Sequence, residues 1–121
     1  MSKRILVVDD SAAVRQSVSY VLDQSGYEIV QAVDGTDALK KLDGSSFHLV
    51  ITDVNMPNMD GIELTSKIRD IEAYRFTPVV VLTTESQADK MNEGKEAGAT
   101  GWIVKPFTSD KLLQVVKRLA G

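Results

Sequence analysis

The fold is decided by one stretch near the amino terminus, RILVVDDSAAVRQSVSYVL, residues 4–22. Residues 5–8 are apolar at every position, which is typical of a strand covered on both faces of a parallel sheet. Two aspartates follow, and apolar side chains then recur at i, i+4, i+7 and i+8 between residues 14 and 22. This is the spacing of one helical face. The stretch therefore predicts a buried strand that runs into an amphipathic helix.

The same alternation of strand and helix repeats along the rest of the chain. Candidate strands occupy residues 28–30, 49–51, 79–82 and 102–104. Apolar residues at helical spacing follow them: Ala38, Leu39 and Leu42; Leu64, Ile68 and Ile71; Ala88 and Met91; Leu112, Leu113, Val116 and Leu119. Alternating strands and helices predict an α/β fold, in which a parallel sheet is joined by right-handed crossovers. We expect one domain of this kind over residues 1–121.

The fourth helix has the weakest apolar pattern, and its ends are predicted from other signals. Ser86 and Asp89 resemble a capping box at its start. Gly98 lies where the end of a helix often needs a left-handed residue. We therefore expect this helix to span residues 86–97.

Composition excludes several classes of protein. The chain has 121 residues, 43% of them hydrophobic and 26% charged, with a net charge of −3, so it lacks the basic character of a nucleic-acid binder. It has no cysteine, which excludes disulfides, zinc ribbons and thiol nucleophiles. Its one histidine, His48, cannot form a metal pair and is expected to be structural or solvated. With no apolar run of membrane-spanning length, we expect a cytoplasmic protein without membrane insertion.

Polar residues with a common chemistry lie where the predicted strands end. The first strand ends in Asp9 and Asp10, the third in Asp53, the fourth in Thr83 and the fifth in Lys105. Because ligands of parallel sheets bind beyond the carboxyl ends of the strands, we expect these side chains to converge on one rim. Taken singly, each has an ordinary structural explanation as a cap, a strand residue or a solvated lysine.

Taken together, these residues indicate phosphoryl transfer. Three close carboxylates repel one another, and an oxygen-only ligand set favours Mg²⁺ or Ca²⁺ over zinc. An aspartate can act as the nucleophile, while a lysine and a hydroxyl stabilise the charged phosphoryl oxygens. The chain has no glycine-rich phosphate loop, so the phosphoryl donor is expected to be a pre-activated group rather than ATP.

At this point the chain resembles a known family, the response-regulator receiver domains, and most closely the stand-alone CheY-like type. The resemblance covers essentially the whole chain. It is carried by Asp9-Asp10, Asp53, the loop Asn55-Met56-Pro57-Asn58-Met59-Asp60-Gly61, Thr83 and Lys105-Pro106-Phe107, in this order. It implies a flavodoxin-like, doubly wound (βα)₅ fold, with five parallel strands in the order 2-1-3-4-5.

The resemblance also implies a role for each site residue. Asp53 would accept a phosphoryl group from the phosphohistidine of a partner kinase. Asp10, Asp53 and the backbone carbonyl of Asn55 would hold Mg²⁺, with Asp9 acting through water. Lys105 would pair with Asp53 or with the phosphoryl group, and its bond to Pro106 would be cis.

A second set of residues would serve the conformational switch and set the lifetime of the phosphorylated state. Thr83 would move to bind a phosphoryl oxygen. Trp102 falls where the family has a tyrosine or phenylalanine that turns inward with that threonine. Thr84 is larger than the family's usual residue and is expected to crowd the phosphoryl site. Asn55 and Glu85 match positions that modulate the lifetime of the phosphorylated state.

The expected output is a signal passed by protein–protein contact, and the expected process is chemotaxis. The resemblance implies a monomer that is not a turnover enzyme, with a chemotaxis-type histidine kinase as phosphodonor and a target such as the flagellar motor switch. The side expected to bind the target carries Trp102, Lys90, Lys95, Lys111 and Lys117.

Four alternatives remain open from the sequence. The same site would suit a phosphorelay intermediate or a phosphate sink. A haloacid dehalogenase-type phosphatase needs a second aspartate two residues after the nucleophile, where this chain has Asn55, which cannot transfer a proton. A flavodoxin would need a first loop that accepts an FMN phosphate, and Asp9 and Asp10 would repel one. A pseudo-receiver that only binds partners would not need the full acidic set.

Overall fold

The structure, a computed structural model, describes residues 3–84 and 88–120, and the side chains of all of these except residues 88–90. The strands are β1 (Arg4–Val8), β2 (Glu28–Ala32), β3 (Leu49–Asp53), β4 (Val79–Thr84) and β5 (Gly101–Lys105). The helices are α1 (Ala12–Gln24), α2 (Gly35–Lys41), α3 (Gly61–Asp70), α4 (Ala88–Ala97) and α5 (Ser109–Ala120), with a short 3₁₀ helix at Glu72–Tyr74.

The five strands form one parallel sheet in the order β2-β1-β3-β4-β5. Each strand predicted from the sequence lies within an observed strand. The α/β fold and the flavodoxin-like strand order are therefore confirmed. None of the helices in the described part of the chain is long and apolar enough to cross a bilayer.

The central strands are apolar at successive positions because both faces of the sheet are covered. Ile5 and Val7 of β1 pack in a cluster with residues of α1 and α5. Leu6 and Val8 point to the opposite face and pack with residues of α2 and α3. All four side chains are essentially inaccessible to solvent. Burial of both faces of the sheet thus explains the runs of adjacent apolar residues.

Short polar side chains begin α1, α2 and α3 and hold the loops at the functional rim. Ser11 accepts the N–H of Val14 at the start of α1, Asp34 accepts that of Asp37 in α2, and Asp60 accepts that of Glu63 in α3. These caps satisfy backbone donors that a helix cannot pair internally. The helix ends facing the rim are therefore fixed by local hydrogen bonds.

The end of α4 at Ala97 matches the prediction, whereas the capping box predicted at its start lies outside the described residues. Gly98 has φ +106°, a left-handed conformation that favours glycine, as expected. The N–H of Gly98 bonds to the carbonyl of Lys95, and the N–H of Ala99 bonds to that of Gly94. Ser86 and Glu85 lie outside the described residues, as does the side chain of Asp89 in the predicted cap.

Arg69 ties together the end of the molecule opposite the rim, a role that the sequence does not signal. Its guanidinium donates to the carbonyls of Gly98, Thr77 and Tyr74 at 2.7–3.2 Å. Burial lowers the pKa of Arg69 from its ordinary value. The side chain thus joins α3, the loop before β4 and the end of α4.

His48 lies at the start of β3, at the end of the sheet away from the rim. Its Nδ1 accepts the N–H of Arg4 at 3.1 Å, and its own N–H bonds to the carbonyl of Arg4 at 2.8 Å. It is exposed and structural, as the sequence analysis expected.

Candidate functional site

Three carboxylates meet at the carboxyl ends of two neighbouring strands. β1 and β3 are paired, so Asp9 and Asp10, which follow β1, come close to Asp53 at the end of β3. One oxygen from each of the three lies within 4.8 Å of the others. Asp9 is buried, Asp53 is half-buried and Asp10 is exposed. The predicted convergence of these residues is confirmed, and the cluster opens to solvent on the side of Asp10.

Asp9 is held in place by hydrogen bonds but is only partly satisfied. Its Oδ1 accepts the N–H of Ser11 at 2.9 Å, and its backbone carbonyl accepts the Arg15 guanidinium at 2.7 Å. Its Oδ2 is buried and has no hydrogen-bond partner among the described residues. Burial raises the pKa of the Asp9 carboxyl, and the nearby Asp53 adds to that rise. The cluster therefore contains an acceptor that lacks a donor.

Lys105 reaches this cluster from β5, across the end of β4. Its Nζ donates to Oδ1 of Asp53 at 2.9 Å and lies 3.7 Å from Oδ2 of Asp9. The Lys105–Pro106 peptide bond is cis, as the resemblance implied. The ammonium group thus offsets part of the negative charge of the cluster. Its nearer carboxylate is that of Asp53, the last residue of β3.

The chemistry of these donors fits a hard divalent cation. The convergent groups are carboxylate oxygens, which Mg²⁺ prefers as ligands, and no thiolate or imidazole lies among them. The unpartnered Oδ2 of Asp9 is an acceptor that a cation or its bound water could satisfy. The fit rests on this atom and on the oxygen-only donor set.

The loop of residues 54–60, which carries Asn55, is held against the cluster by two glycines. The N–H of Gly61 bonds to the carbonyl of Val54 at 2.9 Å, and a Cβ on Gly61 would collide with the carbonyl oxygen of Asp53. A Cβ on Gly35 would come within 2.8–2.9 Å of the Met59 side chain. Gly61 therefore allows a close backbone approach at Asp53, and Gly35 leaves room for the Met59 side chain.

Residues of this loop, among them the exposed Asn55, border the open side of the cluster. Asn55, Met56 and Asp60 line a shallow depression together with Asp10. Asn58 has φ 70°, and its amide donates to the Asp34 carboxylate at 3.1 Å. The loop itself was predicted from the sequence, but the steric constraints at Gly61 and Gly35 were not, since their only signal is a glycine at the first position of a helix.

Thr83 and Trp102 are brought together next to the cluster. Thr83 is buried, and its hydroxyl donates to the carbonyl of Thr84 at 3.3 Å. In the sheet Val81 pairs with Trp102 and Thr83 with Val104, so Thr83 and Trp102 lie on the same face. They border a cavity of only about 10 Å³, and Trp102 is 37% exposed. The threonine and the aromatic ring of the predicted switch are therefore neighbours.

Thr84 faces a groove between α1 and α5. This groove has a volume of about 610 Å³ and is lined mainly by apolar side chains, among them Val14, Val18 and Phe107. Lys105 also borders it, so the groove runs up to the acidic cluster. Whether Thr84 crowds the phosphoryl site stays a prediction, and Glu85 lies outside the described residues.

Comparison with known proteins identifies the family to which this site belongs. The family model of the response regulator receiver domain matches residues 5–117. The chain belongs to the response-regulator receiver-domain family. This receiver domain is 40% identical over 121 residues to chemotaxis protein CheY-3 of Vibrio cholerae, covering 96% of this chain and 93% of that protein.

Solved structures agree with the receiver fold. The structure of Vibrio cholerae chemotaxis protein CheY4 matches with a TM-score of 0.93 and 45% identity, covering 98% of this chain and 99% of that one. The receiver domain of the sensor histidine kinase PA1611 from Pseudomonas aeruginosa matches with a TM-score of 0.91 and 25% identity, covering 100% of this chain and 99% of that one. That domain has a magnesium ion coordinated in its active-site cleft.

Proposed function

We propose that Asp53 is the phosphoacceptor of this receiver domain, and that residues 1–121 form a single receiver domain. The observation that carries the proposal is the contact between Lys105 Nζ and Asp53 Oδ1 at 2.9 Å, beside two further carboxylates. An oxygen of Asp53 forms a bond to phosphorus while the phosphorus–nitrogen bond of a phosphohistidine breaks. The imidazole nitrogen keeps the electron pair and takes a proton from solvent.

The residues around Asp53 divide the work of this transfer. Lys105 holds the carboxylate in position and balances the charge that the phosphoryl oxygens add. The Thr83 hydroxyl, on the neighbouring strand, donates to a phosphoryl oxygen once one is present. Asn55 and Thr84 flank the site and modulate the access of water to it, and Glu85 is proposed to share that role.

Magnesium is the proposed cofactor. Asp10, Asp53 and the Asn55 carbonyl would hold it directly, and Asp9 would hold it through water. When bound, the ion neutralises negative charge on the transferring phosphoryl group. The oxygen-only donors and the unpartnered Oδ2 of Asp9 support this assignment. So does the magnesium in the PA1611 receiver domain.

The groove between α1 and α5 is the proposed docking site of the phosphodonor. The donor must bring a phosphohistidine to Asp53, and one residue lining the groove is Lys105, which contacts Asp53. Its walls are mainly apolar, which suits the apolar face of a helix on the donor. We therefore expect Ala13→Glu, on the exposed edge of the groove, to slow transfer from a kinase but not labelling by acetyl phosphate.

The proposed output is a signal passed by protein–protein contact in chemotaxis, rather than turnover of a separate substrate. The similarity to chemotaxis proteins along nearly the whole chain supports this role. The proposed surface for a target such as the flagellar motor switch lies along α4, β5 and α5. It combines the partly exposed apolar side chains of Trp102 and Val104 with exposed lysines at positions 95, 111 and 117.

The test measures transfer of a phosphoryl group to the purified protein in the presence of magnesium. A phosphorylated chemotaxis kinase should add one phosphoryl group, which borohydride reduction and peptide mapping should place on Asp53. The product should bind a motor-switch target more tightly than the unmodified protein does. Rapid passage of the group to a histidine phosphotransfer domain would instead identify a relay or a phosphate sink. If none of the donors labels the protein, the proposal is contradicted.

A further inference from the structure

Helix α4 contains a buried glycine, Gly94, in its second half. Its backbone is helical, so an ordinary residue could adopt the same conformation. Apart from proline, glycine is the least favourable residue in the interior of a helix. A buried glycine at this position therefore weakens α4 unless the missing side chain serves a purpose.

The packing seen here has room for a side chain at position 94. A Cβ would lie 3.9 Å from Cβ of Ala99 and 3.9 Å from Cγ1 of Ile62, which is ordinary van der Waals contact. The N–H of Ala99 bonds to the carbonyl of Gly94 at 2.9 Å, as in a Schellman motif. In that motif an apolar contact between the two residues so joined is common. An alanine at position 94 would supply it, so the packing of α4 does not explain the glycine.

Gly94 also borders the small cavity beside the proposed switch. The cavity is lined by Gly94, Ala99, Thr83 and Trp102, together with Val54, Val81 and Met91. Its volume of about 10 Å³ is roughly that needed for one water molecule, so the partly exposed indole cannot move deeper at present. Movement of Thr83 towards Asp53 would enlarge the cavity on one side. The indole could then enter only if the opposite wall is small.

We propose that Gly94 is a positioning residue of the switch, whose missing side chain keeps space for the Trp102 indole in the phosphorylated state. The proposal rests on the function proposed above. It explains why α4 keeps a residue that lowers its stability in the resting state. It also accounts for the pairing of glycine, the smallest residue, with tryptophan, the largest aromatic, in one cavity wall.

Two opposite effects are expected of Gly94→Ala. The melting temperature of the resting protein should rise by about 3–5 °C, because alanine favours the helix and completes the contact with Ala99. The affinity for beryllofluoride, a phosphoryl mimic, should fall about fivefold, because the inward indole and the bound phosphoryl group stabilise one another. A purely structural role for Gly94 would produce only the first effect.

The experiment measures binding and indole exposure separately. Fluorine NMR gives the magnesium-dependent affinity for beryllofluoride, and acrylamide quenching gives the exposure of Trp102, the only tryptophan. In the wild type, beryllofluoride should reduce quenching, whereas in Gly94→Ala it should bind more weakly and leave quenching nearly unchanged. Asn92→Ala is the matched control, because Asn92 is exposed on the same helix and gains similar helix propensity. It should respond as the wild type does.

A smaller ring at position 102 should remove the effect of Gly94→Ala on the affinity for beryllofluoride. In the Trp102→Phe background, Gly94→Ala should no longer lower the affinity for beryllofluoride. Wild-type affinity and quenching in Gly94→Ala, or a loss that persists with phenylalanine, would overturn the role of Gly94. If the wild type binds beryllofluoride without any change in quenching, the inference fails while the phosphoacceptor proposal survives. If the wild type does not bind it, both fail.

Discussion

The ammonium of Lys105 lies 2.9 Å from the carboxylate of Asp53, although the two residues end strands that are not neighbours in the sheet. β4 lies between them, and Lys105 pairs with Thr84, two residues further along β4 than Leu82, which pairs with Asp53. The lysine stem therefore passes over the end of β4, where Lys105 and Thr84 border the same groove. A change in the charge on Asp53 therefore acts on Lys105 of β5, and through Lys105 on Asp9, which follows β1.

Asp53→Asn should abolish labelling by acetyl phosphate or a phosphorylated kinase. Asparagine is nearly isosteric but is not a nucleophile, so circular dichroism and cooperative unfolding should be retained. The melting temperature should hold or rise, since one of three clustered carboxylates is removed. Asp43→Asn, at an exposed loop position, is the control for the same change in charge. Labelling of Asp53→Asn to the wild-type extent would contradict the assignment.

Asp10→Ala should weaken magnesium binding more than Asp9→Ala does. Asp10 is exposed at the open side of the cluster and is the proposed direct ligand, whereas Asp9 is buried and is proposed to act through water. The loss for Asp10→Ala should be about tenfold or more in a magnesium titration by calorimetry. Asp70→Ala, an exposed carboxylate at the end of α3, should have no effect. Equal losses for the two site variants, or labelling that survives EDTA, would refute the ligand assignment.

Lys105→Met should make the resting protein depend on magnesium for stability. The variant leaves three carboxylates without their nearby cation, so the free energy of unfolding in EDTA should fall by about 1–2 kcal/mol. Magnesium should then raise the urea midpoint more than it does in the wild type, because only the folded protein holds the site. Lys111→Met, at an exposed lysine of α5, is the control. An equal response to magnesium in Lys105→Met and the wild type would show that Lys105 does not balance the cluster.

Arg69→Met should destabilise the fold by about 2–4 kcal/mol, because it removes the donor from several carbonyls at once. The midpoint of urea unfolding measures this loss. Arg75→Met changes an exposed arginine just beyond the 3₁₀ helix and should have little effect. Similar midpoints for the two variants would mean that the contacts of Arg69 contribute little to stability.

These cases show which parts of the molecule the sequence can predict. The strands were predictable because burial on both faces leaves apolar residues at successive positions, as in residues 5–8. The convergence of Asp9, Asp10 and Asp53 followed from the parallel topology alone. Arg69 was not predictable, because its partners are backbone carbonyls, which every residue carries. The close approach at Gly61 was likewise hidden, since glycine marks turns of many kinds.

The switch itself is tested by Thr83→Ala and Thr83→Ser. Thr83 is buried on the strand beside Trp102, and both border one small cavity. If the Thr83 hydroxyl moves to a phosphoryl oxygen, it vacates space that the indole can fill, and the Trp102 emission should change when beryllofluoride and magnesium are added. A differential stabilisation of a few kcal/mol is enough to shift such an equilibrium. Thr83→Ala should still accept phosphate, though more slowly, and its emission should no longer follow phosphorylation. Thr83→Ser keeps the hydroxyl and should restore the coupling.

An unchanged Trp102 spectrum in wild-type protein saturated with beryllofluoride would mean that this ring is a static part of the core. Any switch would then involve Thr83 and the chain beyond β4 without the indole.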